Sequence, residues 1–363
     1  MKVILFGGSF SPIHQGHISI AKKAQEHISA DKVIFIPSFV SFDDKTLISN
    51  EDRINMINLA IDCNDDFYLS NFEIQNKKIN YTIDTINHFL VEYKNDDIYL
   101  LMGSDLLINF KDWKDYEDIL NKVKIICFNR NDENIKTLIS KYSENIIYIV
   151  ENENKHISSS DIKNNFRYEY LDKKVKNYIN QNLIFLKDYI KPDFVFNFKD
   201  YNTVFSVLDE RYKHMMRTSS MAKIIAKNNN LENIDEIYQA SLIHDLFKNM
   251  DKNIQIQIFK DIYPDKDIIS FKVLHGPIAA WFLEKYLLYE NKNILRGIKR
   301  HTMPYNFDYP EHEISILDKV VYCADKLEHL RTDKDVNNID KIREMVNIDI
   351  NKGFDFLYNQ LKK

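Results

Sequence analysis

Two sets of residues in this chain have the types and spacing to do chemistry, one on a phosphate and one with metal ions. The first is Gly7-Gly8-Ser9-Phe10-Ser11-Pro12-Ile13-His14-Gln15-Gly16-His17. It follows a short apolar run, Val3–Phe6, and leads into helix-forming sequence. A strand ending in Gly-Gly and a helix opening at His-x-Gly-His place backbone N–H groups and a positive dipole end beside two imidazoles, which suits a phosphate. The imidazoles would stabilise charge building on a five-coordinate phosphorus. Gly16 would let a phosphate approach the backbone where a Cβ would clash. Two histidines at a helix start also serve as caps or as a metal pair, and the strand–loop–helix context favours the phosphate reading.

The second set is His214, His244-Asp245, His275, His301 and Asp325, spaced about 24–30 residues apart among apolar neighbours such as Leu242-Ile243, Val273-Leu274 and Val320-Val321. Each group therefore belongs to a different helix. Imidazoles and carboxylates converging from several helices are how helical bundles build metal sites. One such histidine would be ordinary core; six potential ligands with an adjacent His-Asp pair point to metal.

Elements must hold these residues in place. The chain has 363 residues, enough for about two domains. In the first half, short apolar runs (Val3–Phe6, Val33–Ile36, Ile98–Met102, Lys124–Phe128, Ile146–Val150) alternate with helical patterns near 16–27, 51–63, 82–94 and 115–121. That alternation predicts an α/β domain with a doubly wound parallel sheet, Rossmann-like. From about residue 200 the pattern is helical throughout, over 201–228, 233–249, 270–289, 292–301, 311–329 and 336–361, which predicts an all-α bundle. The expected division is 1–186 and 201–363, with 187–200 as a junction around Pro192. Only 7 residues are Gly, against roughly 7% on average. Each survivor is expected where positive φ or close backbone approach is needed.

Composition narrows the classes. Lys and Arg total 49 against 54 Asp and Glu, with no basic block, so no nucleic-acid partner is indicated. No apolar run reaches the roughly 18 residues that would span a membrane. Three scattered cysteines suggest reduced thiols in a cytoplasmic protein. No feature indicates an oligomer; the partners expected are small-molecule nucleotides.

Gly7–His17 resembles the signature of the HxGH nucleotidyltransferases, and residues 1–185 are similar to bacterial nicotinate-mononucleotide adenylyltransferases. The likeness is carried by Ile36-Pro37 with Lys45, Arg53-x-x-Met56-x-x-Leu59-Ala60, Tyr81-Thr82-x-Asp84-Thr85, Gly103-Ser104-Asp105 with Trp113, and Ile157-Ser158-Ser159-Ser160-x-Ile162-Lys163. The resemblance implies that ATP is a co-substrate, bound with Mg²⁺. His14, His17, Ser159, Ser160 and Lys163 would hold its phosphates beside Gly7, Gly8, Ser9 and Gly16, with Lys45 as a mobile cation. It assigns Asp105 to the ATP side, Gly103 to substrate or ATP binding, and Thr82 and Trp113 to the nicotinate nucleotide. Ser9 and Ser11 depart from the family's Thr and Asp, Asn80 from its Ser, and Lys163 from its Arg, which loses a bidentate fork. The Tyr81–Thr85 and Gly103–Trp113 segments argue against phosphopantetheine as the acceptor.

The second set resembles the HD-domain metallophosphohydrolases, nearest to the branch that splits diadenosine tetraphosphate symmetrically. The matching segments are Arg211-x-x-His214, His244-Asp245-x-x-Lys248, His275-Gly276, His301-Thr302 and Ala324-Asp325-Lys326-x-Glu328-x-x-Arg331. The resemblance implies that Asp245 bridges two ions, with His214, His244 and Asp325 on one and His275 and His301 on the other. Iron or another divalent transition metal would suit this ligation, while Lys248 and Arg331 clamp phosphate oxygens. Met303-Pro304 and the loop through His312 depart from this branch, as does His329 in place of Pro. Two alternatives stay open: hydrolysis of another nucleotide or phosphoester, and a metal-bound nucleotide sensor regulating the transferase.

Overall fold

Val3–Phe6 forms the centre of strand β1 (Lys2–Gly8), whose apolar side chains are all buried, as expected for a strand covered on both faces. The computed structural model describes residues 1–39, 48–129, 145–149, 157–268, 270–302 and 314–361. Lys45, Val150 and the Met303–His312 segment lie outside them. The chain divides into two compact units, Met1–Asn182 and Leu183–Lys363.

In the first unit, β1 is followed by α1 (Gln15–Ile28), β2 (Lys32–Pro37), α2 (Asn50–Ile61), β3 (Phe67–Leu69), α3 (Phe72–Asn76) and α4 (Thr82–Glu92). Then come β4 (Asp97–Gly103), α5 (Ser104–Leu107), α6 (Tyr116–Lys122), β5 (Lys124–Phe128), β6 (Ile146–Ile149), α7 (Ser159–Asn164) and α8 (Lys173–Gln181). The sheet is parallel, in the order β3-β2-β1-β4-β5-β6. The strand order reverses between β1 and β4, which pair Val3 with Ile98 and Leu5 with Leu100. In such sheets, ligands bind in the crevice beyond the carboxyl ends of the strands at this switch point. Gly7-Gly8 ends β1 there, and Gly103 ends β4.

The second unit is a helical bundle with one exception. After α9 (Leu186–Tyr189), residues predicted as junction and helix form an antiparallel hairpin of β7 (Val195–Phe198) and β8 (Thr203–Ser206). The reason is the alternation of Phe196 and Phe198 with exposed Val195 and Asn197. Phe196 packs 5.4 Å from the rings of both Phe247 and Phe282, and Phe205 lies 5.6 Å from Phe247. These contacts draw residues 183–200 into the second unit. The helices follow as α10 (Asp209–Asn228), α11 (Ile234–Ile243), α12 (Lys252–Ile262), α13 (His275–Tyr286), α14 (Lys292–Arg300), α15 (Ile316–Leu327), α16 (Ile339–Ile348) and α17 (Ile350–Leu361).

The glycine expectation needs correcting in one half. No described glycine has positive φ; ten other residues do, among them Phe10, Asp115, Asn202, Asn230 and Asn338. Asn and Asp tolerate this conformation better than most residues, so a glycine-poor chain still turns. Close approach does explain Gly276, where a Cβ would lie 2.8 Å from the Ile298 carbonyl, and Gly297, where it would meet Leu317.

Candidate active sites

The first site is built at the mouth of α1. His14 is its N-cap residue, in extended conformation, and the His14 and His17 rings lie 3.7 Å apart, centre to centre. The His14 backbone N–H donates to His17 Nδ1 at 3.2 Å. That bond puts His17's own proton on Nε2 and fixes its tautomer. Phe10, fully buried, sets its ring edge-on to His17 at 5.0 Å. Gly7 is exposed, with open space where a Cβ would stand. Gly8 is closed by the Phe10 ring, which a Cβ would meet at 3.1 Å.

The loop between β1 and α1 is held from two sides. Ser159 Oγ donates to the Pro12 carbonyl at 2.9 Å, so its hydroxyl proton ties α7 to this loop. Ser158, not Ser159, caps α7, accepting from the Asp161 N–H. Ser160 and Lys163 follow on the same short helix. From the other side comes Arg53, whose catalytic neighbourhood the motif alone did not disclose. It is fully buried in α2 and donates to the carbonyls of Ser9 (2.7 Å) and Ser38 (2.6 Å) and to Asn50 Oδ1 (2.6 Å). Burial pulls its pKa down to about 10, still charged at neutral pH. Arg53 thus fixes the carboxyl ends of β1 and β2 together.

Gly103 is the N-cap residue of α5, with Asp105 half-buried in its first turn. Thr82 opens α4, and Trp113 is half-buried with its ring 5.2 Å from Phe110. The two segments meet through Lys114, whose ammonium lies 4.7 Å over the Tyr81 ring and 3.8 Å from Asp84. Thr85 Oγ1 donates to Glu73 Oε1 at 2.7 Å and holds α4 in place.

The second site lies where α10, α13, α15 and the turns after α11 and α14 converge. All six residues are buried. One oxygen of Asp245, Oδ1, lies 2.8 Å from His275 Nε2 and 3.2 Å from His301 Nε2. Its other oxygen, Oδ2, lies 3.7 Å from both His214 Nε2 and His244 Nε2. Asp325 Oδ1 completes that second side, 3.0 Å from His214 Nε2 and 3.6 Å from His244 Nε2. The donor atoms of each group fall within 4.8 Å of one another. His244 and His301 carry hydrogen bonds between Nδ1 and the carbonyls of Ser241 and Ile298, both 2.7 Å. These bonds leave the Nε2 lone pairs turned inward, as metal ligation requires. His244 Nε2 is a buried nitrogen with no hydrogen-bond partner, a gap that an ion between the groups would fill.

Electrostatics fit the same use. Burial would raise both carboxyls, but His244 and His275 around Asp245 outweigh it, as Lys326 and His214 do around Asp325, and both stay well below the usual carboxylate range. Burial pushes His275 down and takes His301 to about 3, so both are neutral imidazoles at physiological pH. Around the cluster stand cations: Arg211 paired to Asp245, Lys326 to Asp325, and Lys248 3.2 Å from His275 Nε2. Arg331 reaches to 3.8 Å from Asp325. Glu328 and Arg217 complete the set: Glu328 is buried, 3.5 Å from His214 Nδ1 and 3.0 Å from Arg217. Arg217 carried no sequence signal; Glu328 lay inside a quoted motif without a role. A cavity of about 350 Å³, lined by Arg211, Arg217, Arg331 and His214, opens over this side.

Residues 5–165 match the cytidylyltransferase-like family model, and residues 211–330 match the HD domain. A Mycoplasma genitalium protein named probable nicotinate-nucleotide adenylyltransferase/Ap4A hydrolase is 33% identical over 90% of this chain and 87% of its own length. Its namesake from Mycoplasma pneumoniae is 29% identical over 90% of this chain and 89% of its length. A probable nicotinate-nucleotide adenylyltransferase of Aquifex aeolicus is 39% identical over 38% of this chain and 84% of its own. The HD domain implies a divalent metal, which suits the buried His/Asp cluster. With both halves shared across nearly the full length, this chain belongs to the family of two-domain enzymes that join a nucleotidyltransferase to an HD hydrolase domain, the family of the mycoplasma nicotinate-nucleotide adenylyltransferase/Ap4A hydrolases.

Proposed function

We propose that the first unit transfers the adenylyl group of ATP to nicotinate mononucleotide, and that the second cleaves dinucleoside tetraphosphate into two nucleoside diphosphates. For the transfer, a phosphate oxygen of the mononucleotide bonds to the α-phosphorus of ATP. The α–β bridging bond breaks, and pyrophosphate departs with the electron pair, accompanied by Mg²⁺. No nucleophile from the protein is needed, so catalysis is positioning and charge stabilisation. His17 Nε2–H and His14 donate to the phosphate oxygens as charge builds. Arg53 and Ser159 keep that loop rigid, while Thr82 and Trp113 hold the pyridine nucleotide.

For the hydrolysis, His214, His244, Asp325 and Asp245 Oδ2 would hold one ion, and His275, His301 and Asp245 Oδ1 the other. Two such ions supply Lewis acidity and a water-derived nucleophile at neutral pH. Mixed nitrogen and oxygen ligation favours iron, manganese or another divalent transition metal. Lys248 and Arg331 bind phosphate oxygens from opposite sides, and the buried ligands exclude bulk water from the cluster.

The observation that carries the hydrolase reading is the division of Asp245's two oxygens between two histidine groups. A substrate panel on the purified full chain tests both halves. Nicotinate mononucleotide with ATP and Mg²⁺ should yield the dinucleotide and pyrophosphate, whereas phosphopantetheine should yield nothing. Diadenosine tetraphosphate should yield ADP alone; AMP with ATP among the products would contradict symmetrical cleavage.

A further inference from the structure

A second cavity of about 290 Å³ opens on the other flank of the metal cluster, reached through His275 where the first is reached through His214. Asn249 lines both. Its remaining wall has a distinct chemistry. Lys248, Lys252 and Lys272 line it with no carboxylate among them, whereas the first cavity mixes three arginines with Glu210, Glu328 and Asp335. Lys248 is paired with Asp245 at 3.8 Å, but no carboxylate lines the wall beside Lys252 and Lys272, and such ammonium groups attract a polyanion. Phe271, an exposed ring beneath the Lys252 ammonium at 4.4 Å, offers an aromatic face for stacking.

Gln255 adds an independent sign of a ligand. It is 4% exposed, and its Nε2 donates to the Met250 carbonyl at 2.8 Å, which fixes the amide's orientation. Gln255 lines the cavity, and its buried Oε1 has no hydrogen-bond partner. A buried acceptor left so is costly, and a base amino group or sugar hydroxyl would satisfy it. Ammonium groups, an aromatic face and a lone acceptor together describe a nucleotide. Each cavity is near the lower end of the roughly 300–1,000 Å³ seen for ligand sites, room for half of a dinucleotide.

We propose that this lysine-lined cavity is a second nucleotide subsite, taking the departing nucleoside diphosphate while the arginine-lined cavity holds the half that is attacked; it rests on the hydrolase reading above. One water is consumed. Its oxygen bonds to the attacked phosphorus, and the bridging P–O bond at the middle of the chain breaks. The electron pair stays on the departing diphosphate oxygen, and the protons of water pass to the products or solvent. Subsites of similar size on either side of the cluster place the scissile bond at the middle of a symmetrical substrate.

The test is K252E/K272E in the full chain, with K341E/K352E, exposed lysines elsewhere in the unit, as the charge-matched control. Unchanged bound metal would show that the fold is intact. The expected result is a KM for diadenosine tetraphosphate raised tenfold or more in K252E/K272E, with the control unmoved. Titration with inorganic tripolyphosphate by calorimetry should lose one binding event that the parent and control retain. KM within twofold of the parent, or unaltered tripolyphosphate binding, overturns the subsite. A parent that cleaves no dinucleoside polyphosphate overturns the hydrolase reading instead, while loss of the tripolyphosphate event would still support the cavity as a phosphate site.

Discussion

His17 shows how much of a site is decided by one hydrogen bond. Because Nδ1 accepts the His14 N–H, Nε2 must carry the proton, and the ring can donate from there. His17→Ala should lower the adenylyl-transfer rate by about 10²–10³, the usual loss for one preorganised donor to a developing charge; a pre-steady-state assay checks this. Arg53→Met makes a different prediction, since it removes three donated bonds from a buried centre. Stability should fall by about 2–4 kcal/mol, with the Ser9 and Ser38 carbonyls left unsatisfied, and transfer should fall with it. Thermal denaturation read beside the rate separates this from a purely catalytic loss. The histidine pair was legible from spacing. Arg53 was legible only as part of a helix motif, because a guanidinium in a helical segment looks the same in sequence whether it faces water or two loop carbonyls.

At the scale of elements, the site depends on how closely α13 and α14 approach. Gly276 follows the proposed ligand His275, and its missing side chain leaves room for the Ile298 carbonyl and the His301 ring, 3.2 Å from where a Cβ would stand. Gly276→Ala should push the helices apart and weaken metal binding by about 10–100-fold, as loss of outer-sphere support commonly does. Metal titration of the variant measures this; affinity equal to the parent would contradict it. The parallel strands were legible as apolar runs, and the six proposed ligands as polar residues amid apolar helix sequence. Three elements were less so. β3 has only three residues. In α12, Ile254, Ile256 and Ile258 stand two apart, which blurs the helical period although the segment coils. The β7–β8 hairpin hides in a stretch where Pro192 and mixed polarity read as a junction, while the alternating phenylalanines carried the true signal.

The whole molecule joins two phosphorus chemistries in two compact units, and each unit contains all the described residues assigned to its own reaction. No described helix is long and apolar enough to cross a membrane. Treatment with a strong chelator, followed by Mg²⁺ alone, should restore adenylyl transfer but not ADP release, which should return with Mn²⁺ or Fe²⁺; recovery of both with Mg²⁺ alone would contradict a transition-metal site. The central proposal is that each unit carries one of the two reactions. Its most direct test assays the parent, His17→Ala and Asp245→Ala for both reactions. The account predicts that His17→Ala loses transfer and keeps hydrolysis, while Asp245→Ala loses hydrolysis by on the order of 10³ or more and keeps transfer. A single substitution that removes both activities, or an Asp245→Ala protein that still releases ADP at the parent's rate, would contradict it.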